Sequence, residues 1–312
     1  MSTTVSTEAP AKAGRAASAP RPPRERVPHK RALLAFLGPF LILFILFYIV
    51  PIAYALYQSF FKIERQGAFG PPKQVFGGLT QYALVFSNGD FWSSIGRVLA
   101  FFFASVPLQL GLALVFALLL DSPVLKGAKF FRLSFFAPYA VPGVIAALMW
   151  GFLYAPSLSP FTALAERVDF LGPKLVLYSI ANIVIWVYTG YNMLIIYSAL
   201  KAIPEELFEA ARVDGAGQFR IAWSIKIPIV MPAIILTGVF SIIGTLQLFN
   251  EPTVMRTLTG SVSNSYTPNM VVYATSNVPN YNLSAAFSVV LALATCLLSF
   301  LFLKLTQKQA FA

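Results

Sequence analysis

Six long apolar runs constrain this chain more than any other feature in it. They lie at about 33–60, 98–120, 133–154, 175–200, 227–250 and 284–303. A helix needs roughly 20 apolar residues to cross a hydrocarbon core, and a barrel strand about 10. These lengths, with Leu, Phe, Ala and Val intermixed, predict helices. Composition points the same way, with 57% of residues apolar and 11% charged, against about 25% charged in a soluble domain. The expected fold is an all-α integral membrane bundle of six spans over residues 32–308, with the lipid bilayer as its solvent. The first run, Ala32 to Phe61, should bend near Pro51, because proline disrupts the helical ladder. Residues 1–31, rich in Pro, Ala, Ser and Arg, cannot bury a core and are expected to form a disordered basic tail. A signal peptide is the competing reading, but its apolar segment spans roughly 7–15 residues, and the first run is far longer.

The formal net charge is +11. On a soluble chain that would suggest nucleic acid, but here the basic residues sit between apolar spans, so the charge is topological and no nucleic-acid partner is expected. Placing the N-terminus in the cytoplasm puts sixteen Lys and Arg in inside segments and seven outside. Cytoplasmic loops carry the excess of Lys and Arg, so both termini are expected inside the cell. The outside loops then run over about 62–91, 155–174 and 251–283, the last polar but almost uncharged. Cys296 and His29 are each alone in the sequence. Neither a disulfide framework nor a zinc site is available, and no cofactor is expected on this chain.

Charge deep in a span marks proton relays and ion paths, and these spans are nearly clean. Arg97, Asp121 and Glu251 fall near proposed ends. A proton-driven carrier would need a titratable group near mid-membrane. Uncharged polar groups do occur. Asn182, Trp186, Tyr188, Tyr191 and Asn192 cluster in the fourth span, and Tyr188 and Asn192 share a helix face. Gly244, Gln247 and Glu251 share a face at the end of the fifth, with Asn250 beside them. Trp186, Tyr188, Asn192, Gln247, Asn250 and Glu251 are the candidate solute path, because amides, phenols and an indole suit a neutral polyhydroxyl solute. Helix–helix hydrogen bonding is the alternative use of such residues. No paired-carboxylate, Ser–His–Asp or HExxH arrangement exists, so an enzyme is not expected. There is no GxxxxGK[ST] either, so ATP-driven transport would require an ATPase on another chain.

The most polar internal stretch is the loop at 203–226, between the fourth and fifth runs. Pro204 can open a helix. Glu205 and Glu206 then favour its N-terminal dipole, and Gly215 and Gly217 end it. A second short helix from about Gln218 leads into the fifth span, giving a helix–turn–helix at the membrane surface. Within it, Glu209-Ala210-Ala211, Gly215 after three residues, and Ile225-Lys226-Ile227-Pro228 after nine more resemble the EAA loop. That loop marks the permease subunits of bacterial binding-protein-dependent ABC importers. Asp214-Gly215-Ala216 is similar to the family's common DGA extension, and Ile227 stands where Leu is usual. Phe135 to Trp150 and Tyr197 to Pro204 resemble the carbohydrate-uptake branch, similar to the maltose and glycerol-3-phosphate permeases.

The resemblance implies the six-helix bundle of a type I ABC importer permease with a cytoplasmic EAA coupling helix, in the bacterial cell membrane. It implies a second related permease subunit, two copies of an ATPase beneath, an extracytoplasmic solute-binding protein and a sugar substrate. Glu209, Ala210, Ala211, Asp214, Gly215, Ile225 and Pro228 are the implied ATPase-coupling residues. Three alternatives stay open: a glycerol-3-phosphate or other small-solute importer, a secondary carrier working alone, and an assembly subunit with no solute path.

Overall fold

The computed structural model describes residues 30–65, 67, 70–276 and 280–310. The expected disordered tail lies outside the described residues, apart from its last two positions. The described chain is helical, with one hairpin. It opens with α1 (Lys30–Phe44), a π turn (Ile45–Ile49) and α2 (Val50–Gln58). β1 (Phe61–Arg65) pairs antiparallel with β2 (Pro72–Phe76), Phe61 opposite Phe76. α3 (Thr80–Ser87), α4 (Gly89–Leu120), α5 (Ala128–Phe136), a 3₁₀ turn (Ala137–Ala140), α6 (Gly143–Tyr154) and α7 (Thr162–Ala165) follow. Next come α8 (Val176–Lys201), α9 (Glu206–Val213), α10 (Gln218–Ile221), a second π turn (Ala222–Lys226) and α11 (Ile227–Leu246). α12 (Asn250–Leu258), α13 (Pro268–Ser276) and α14 (Tyr281–Ala310) complete the chain.

Five helical stretches are long and apolar enough to cross a membrane, and α5 with α6 makes a sixth if that bent pair is one span. The sequence suggested a continuous third span. It is instead broken by 96°. Pro142 is the cause: a residue before proline is pushed out of the α region, and Val141 is extended at φ −82°, ψ 125°. Both π turns also precede a proline. Pro51 and Pro228 have no N–H to give the carbonyl four residues back and would clash with it. The ladder relaxes by one residue, so Val50 and Ile227 donate to Ile45 and Ala222, five residues earlier. The expected bend at Pro51 is thus a π turn just before it.

α4 begins well before residue 98. Asn88 caps it, its side chain accepting from the Phe91 N–H at 2.8 Å, worth about 1 kcal/mol. Arg97 therefore lies inside a helix rather than at its end. Its Nη1 donates to the carbonyls of Ser265 (2.9 Å) and Tyr266 (2.5 Å), tying the α12–α13 connection to α4. Burial pushes the Tyr266 phenol above its usual pKa, with the Arg97 cation acting the other way.

α4 and α8 form the centre of the bundle. Small Ala113 and Ala117 on α4 meet Met193, Ile196 and Leu200 on α8, a close approach typical of membrane helices. That cluster extends to Ile203, Phe208, Ile221 and Val230, so the short helices of the 203–226 loop are seated on the same core. A second cluster joins α4, α6, α8, α12 and α13 through Phe101, Ala147, Ile183, Met255 and Met270. Gly190 on α8 is the contact point for the broken span. A Cβ there would overlap the carbonyl oxygen of Phe135, so only glycine lets the bend dock.

Candidate functional site

A cavity of about 320 Å³ opens between α4, α8, α11 and the break in the third span. Phe101 and Gln109 of α4, Tyr139 of the 3₁₀ turn, and Tyr188, Tyr191 and Asn192 of α8 line it. The opposite wall is Phe240, Ser241, Gln247, Asn250 and Glu251. No Lys or Arg lines it among the described residues. Tyr139 stacks on Tyr191 at 4.7 Å and meets Tyr188 edge-on at 5.9 Å, so three aromatic rings cluster on one side of the cavity. Asn192 is 2% exposed, and its buried Nδ2 has no hydrogen-bond partner. Such a donor costs about 1–3 kcal/mol while unsatisfied, a cost that a solute hydroxyl in the cavity would offset.

The structure brings five of the six solute-path candidates together here: Tyr188, Asn192, Gln247, Asn250 and Glu251. Trp186 is elsewhere. It packs edge-on against Trp150 at 5.9 Å, at the margin of the α6–α8 core. At 3.6 residues per turn it points almost opposite to Tyr188. Asn182 lies on that side too, donating to the Tyr154 hydroxyl at 2.9 Å, which donates to the Ser179 carbonyl at 3.2 Å. Gln247 and Glu251 reach the cavity by a different route from the one their spacing suggested. α11 stops at Leu246, and Glu251 belongs to the next helix. A turn, not a shared helix face, places them side by side.

Glu251 is 7% exposed. A Cβ on Gly143 would stand 3.2 Å from its Oε1, so the carboxylate lies against the first turn of α6. Free N–H groups at a helix start favour negative charge. That explains how a carboxylate is tolerated in this wall. Gln109 and Tyr139 were not singled out from the sequence. Gln109 carried the same signal as Asn192, an uncharged amide deep in a span, and it is 4% exposed. Tyr139 carried none, since only the break turns it inward.

The second candidate surface is α9. Glu206 and Glu209 occupy its first turn and Arg212 its last, matching the helix dipole. The helix begins at Glu206 with Glu205 as its cap, so Pro204 precedes the helix rather than opening it. Gly215, at φ 81°, closes it: the N–H groups of Gly215 and Ala216 reach Arg212 and Ala211 at 3.0 and 2.9 Å. Both bonds satisfy carbonyls that the helix end leaves open. Phe208 anchors α9 in the core with Ala211 and Ile225 against the same cluster. Glu209, Ala210, Asp214, Gly215 and Pro228 face outward. Beside them Val213, Phe219 and Trp223 are 87%, 80% and 66% exposed, with Phe219 stacked on Trp223. Exposed apolar groups rimmed by polar and charged ones occur where a protein meets another protein or a membrane.

A broken third span, a central cavity lined mostly by uncharged polar and aromatic groups and an exposed short helix between two spans define the site in a helical, membrane-spanning chain. Residues 74–309 match the family described as binding-protein-dependent transport system inner membrane component, and the chain belongs to that family. It is 31% identical over 274 residues to the trehalose/maltose transport system permease protein MalF of Thermococcus litoralis, covering 85% of this chain and 90% of that one. It is 32% identical over 279 residues to the sn-glycerol-3-phosphate transport system permease protein UgpA of Rhizobium meliloti, covering 86% and 92%. The fold is similar to that of a bacterial ABC transporter involved in import of the acidic polysaccharide alginate. There the TM-score is 0.75 at 20% identity, covering 89% of this chain and 96% of that one.

Proposed function

We propose that this chain is the membrane-spanning permease subunit of an ATP-driven importer of a neutral carbohydrate. The observation that carries the solute class is the cavity wall, with amides and tyrosines in place of any Lys or Arg among the described residues. Sugar hydroxyls pair with amides, and the apolar faces of a sugar ring lie against flat aromatic rings. The relative from Thermococcus litoralis, named for trehalose and maltose transport, supports this reading. A glycerol phosphate solute is the second reading, favoured by the relative from Rhizobium meliloti. A phosphate would call for a cation that this wall does not supply, although a partner subunit could provide one.

In this reading the chain forms half of the path beside a second, related permease. Two copies of an ATPase bind beneath, and a solute-binding protein docks on the other side. ATP is hydrolysed by the separate subunit, and this chain is not catalytic and holds no cofactor. The Lys and Arg asymmetry supports a cytoplasmic position for both termini and for α9. Glu209 then meets a basic group in a groove of the ATPase, with Ala210, Ala211, Asp214 and Gly215 setting the fit and Ile225 and Pro228 holding the loop to α11. ATP-driven closure carries α9 along and shifts the cavity from one opening to the other. Such coupling requires different contacts in the two states.

Uptake of labelled maltose, trehalose and sn-glycerol 3-phosphate into vesicles tests the reading, with the complete transporter and with this chain alone. ATP-dependent uptake of a neutral sugar by the complete transporter only is expected. Uptake by the isolated chain would overturn the ATP-driven reading, and preference for sn-glycerol 3-phosphate would replace the solute.

A further inference from the structure

Asp121, the C-terminal cap of α4, binds two lysines at once. Its Oδ1 lies 2.7 Å from Lys201 Nζ, at the end of α8, and its Oδ2 accepts from Lys226 Nζ at 2.5 Å. The side chains of Asp121 and Lys226 are 6% and 9% exposed, while Lys201 is 55% exposed. The Lys226 ammonium also lies 4.9 Å from the centre of the Phe208 ring on α9, within reach of a cation–π attraction. Phe208 is buried one residue before Glu209. One carboxylate thus joins α4, α8 and the turn before α11, and through Lys226 it reaches α9.

The local sequence explains how Lys226 comes to be inside. It ends the π turn forced by Pro228. A π turn inserts a residue and rotates what precedes it by about 100° relative to a continuous helix. Trp223 and Ser224 face out and Lys226 faces in.

A buried ion pair contributes little net stability compared with apolar residues of similar size, because desolvation offsets the attraction. Removing one partner is costly, because the other charge is left buried alone. What the pair adds over an apolar contact is a single geometry. We propose that Asp121 is the positioning residue of the coupling loop: by holding Lys226 and Lys201 it makes α9 move with α4, α8 and α11 as one body. The inference rests on the reading of α9 as the coupling helix. A helix that slid on its seat would absorb the ATPase's movement without passing it to the cavity.

The test uses spin labels on the full chain in complex with its ATPase and partner subunits, in lipid nanodiscs. Val213→Cys on α9 and Val124→Cys after α4 carry the labels, both positions being exposed, with Cys296→Ser removing the exposed native thiol. With native Asp121, one narrow distance is expected, the same with and without ATP. Asp121→Asn should lose the narrow distribution and let ATP shift α9. Asp121→Asn with Lys226→Met removes both buried charges. It should recover folded yield while α9 stays loose, a separation that a merely stabilising pair would not show. A narrow, ATP-insensitive distance in that double variant would overturn the proposal. So would an ATP-induced shift with Asp121 in place, which needs no variant at the cluster. Glu209→Lys checks the coupling reading separately. If the ATPase still binds that variant, that reading fails while the spin-label result still stands for the cluster.

Discussion

α8 serves two regions with opposite chemistry. At Tyr188 and Asn192 it faces a cavity whose wall is mostly neutral, with one donor left unpaired. At Lys201, about two and a half turns beyond Asn192, it enters a cluster in which a buried carboxylate holds two cations. The contrast follows from what each region does in the proposed function. A transport cavity must bind weakly enough to release, so it offers single hydrogen bonds of about 0.5–1.5 kcal/mol. A coupling joint must hold one shape under load, so it uses charges that lose much if separated. The lesson is that polarity within one membrane helix can be divided by task, weak at the solute and strong at the lever.

The harshest way to break both regions is Gly190→Ala. The added Cβ meets the Phe135 backbone, not a mobile side-chain tip. Overpacking of this kind costs about 1–3 kcal/mol or more. A lower melting temperature and loss of transport are expected, whereas Gly111→Ala, with open space around its Cβ, should melt no lower than wild type. Next in size is Glu209→Lys, expected to abolish co-purification of the ATPase while membrane insertion stays intact. Unchanged co-purification would remove α9 from its role. Asn192→Ala and Gln109→Ala sharpen the other side. Each should raise the KM for uptake by about two- to ten-fold, the worth of one hydrogen bond, without altering ATPase binding. If the ATPase dissociates in these variants, the two regions are not separate. The smallest effect is expected from Trp186→Phe, which keeps an aromatic ring against Trp150. Its uptake kinetics should match wild type, and a changed KM would return Trp186 to the solute path.

Much of this was legible because it is local. Proline and glycine punctuation around 204–217 marks the short helices of that loop, and the apolar run lengths mark spans; the break at 138–143 is hidden because the apolar run continues through it. Asn192 stood out because an amide deep in a span has few reasons to be there. Gln109 could have been found by the same rule. The hairpin at 61–76 is not legible as strands, since five-residue strands with exposed charges carry a weak signal. Trp186 and Tyr188 are close in sequence, but helical rotation sends them to opposite faces. Gln247 and Glu251 were joined by a helical period that the chain does not keep beyond Leu246.

By itself the sequence determined the solvent of the protein, the number of apolar runs, the charge asymmetry across them and the presence of a short acidic helix between two spans. These are properties of windows of a few to about 25 residues, where spacing and composition act directly. Only the tertiary structure decided which faces meet. Lys226 and Asp121 are 105 residues apart, and no periodicity relates them. Their pairing depends on how α4, α8 and α11 pack and on a π turn that rotates one lysine inward. The same packing closes four separated segments around one cavity, and turns a tyrosine at a helix break into part of its wall.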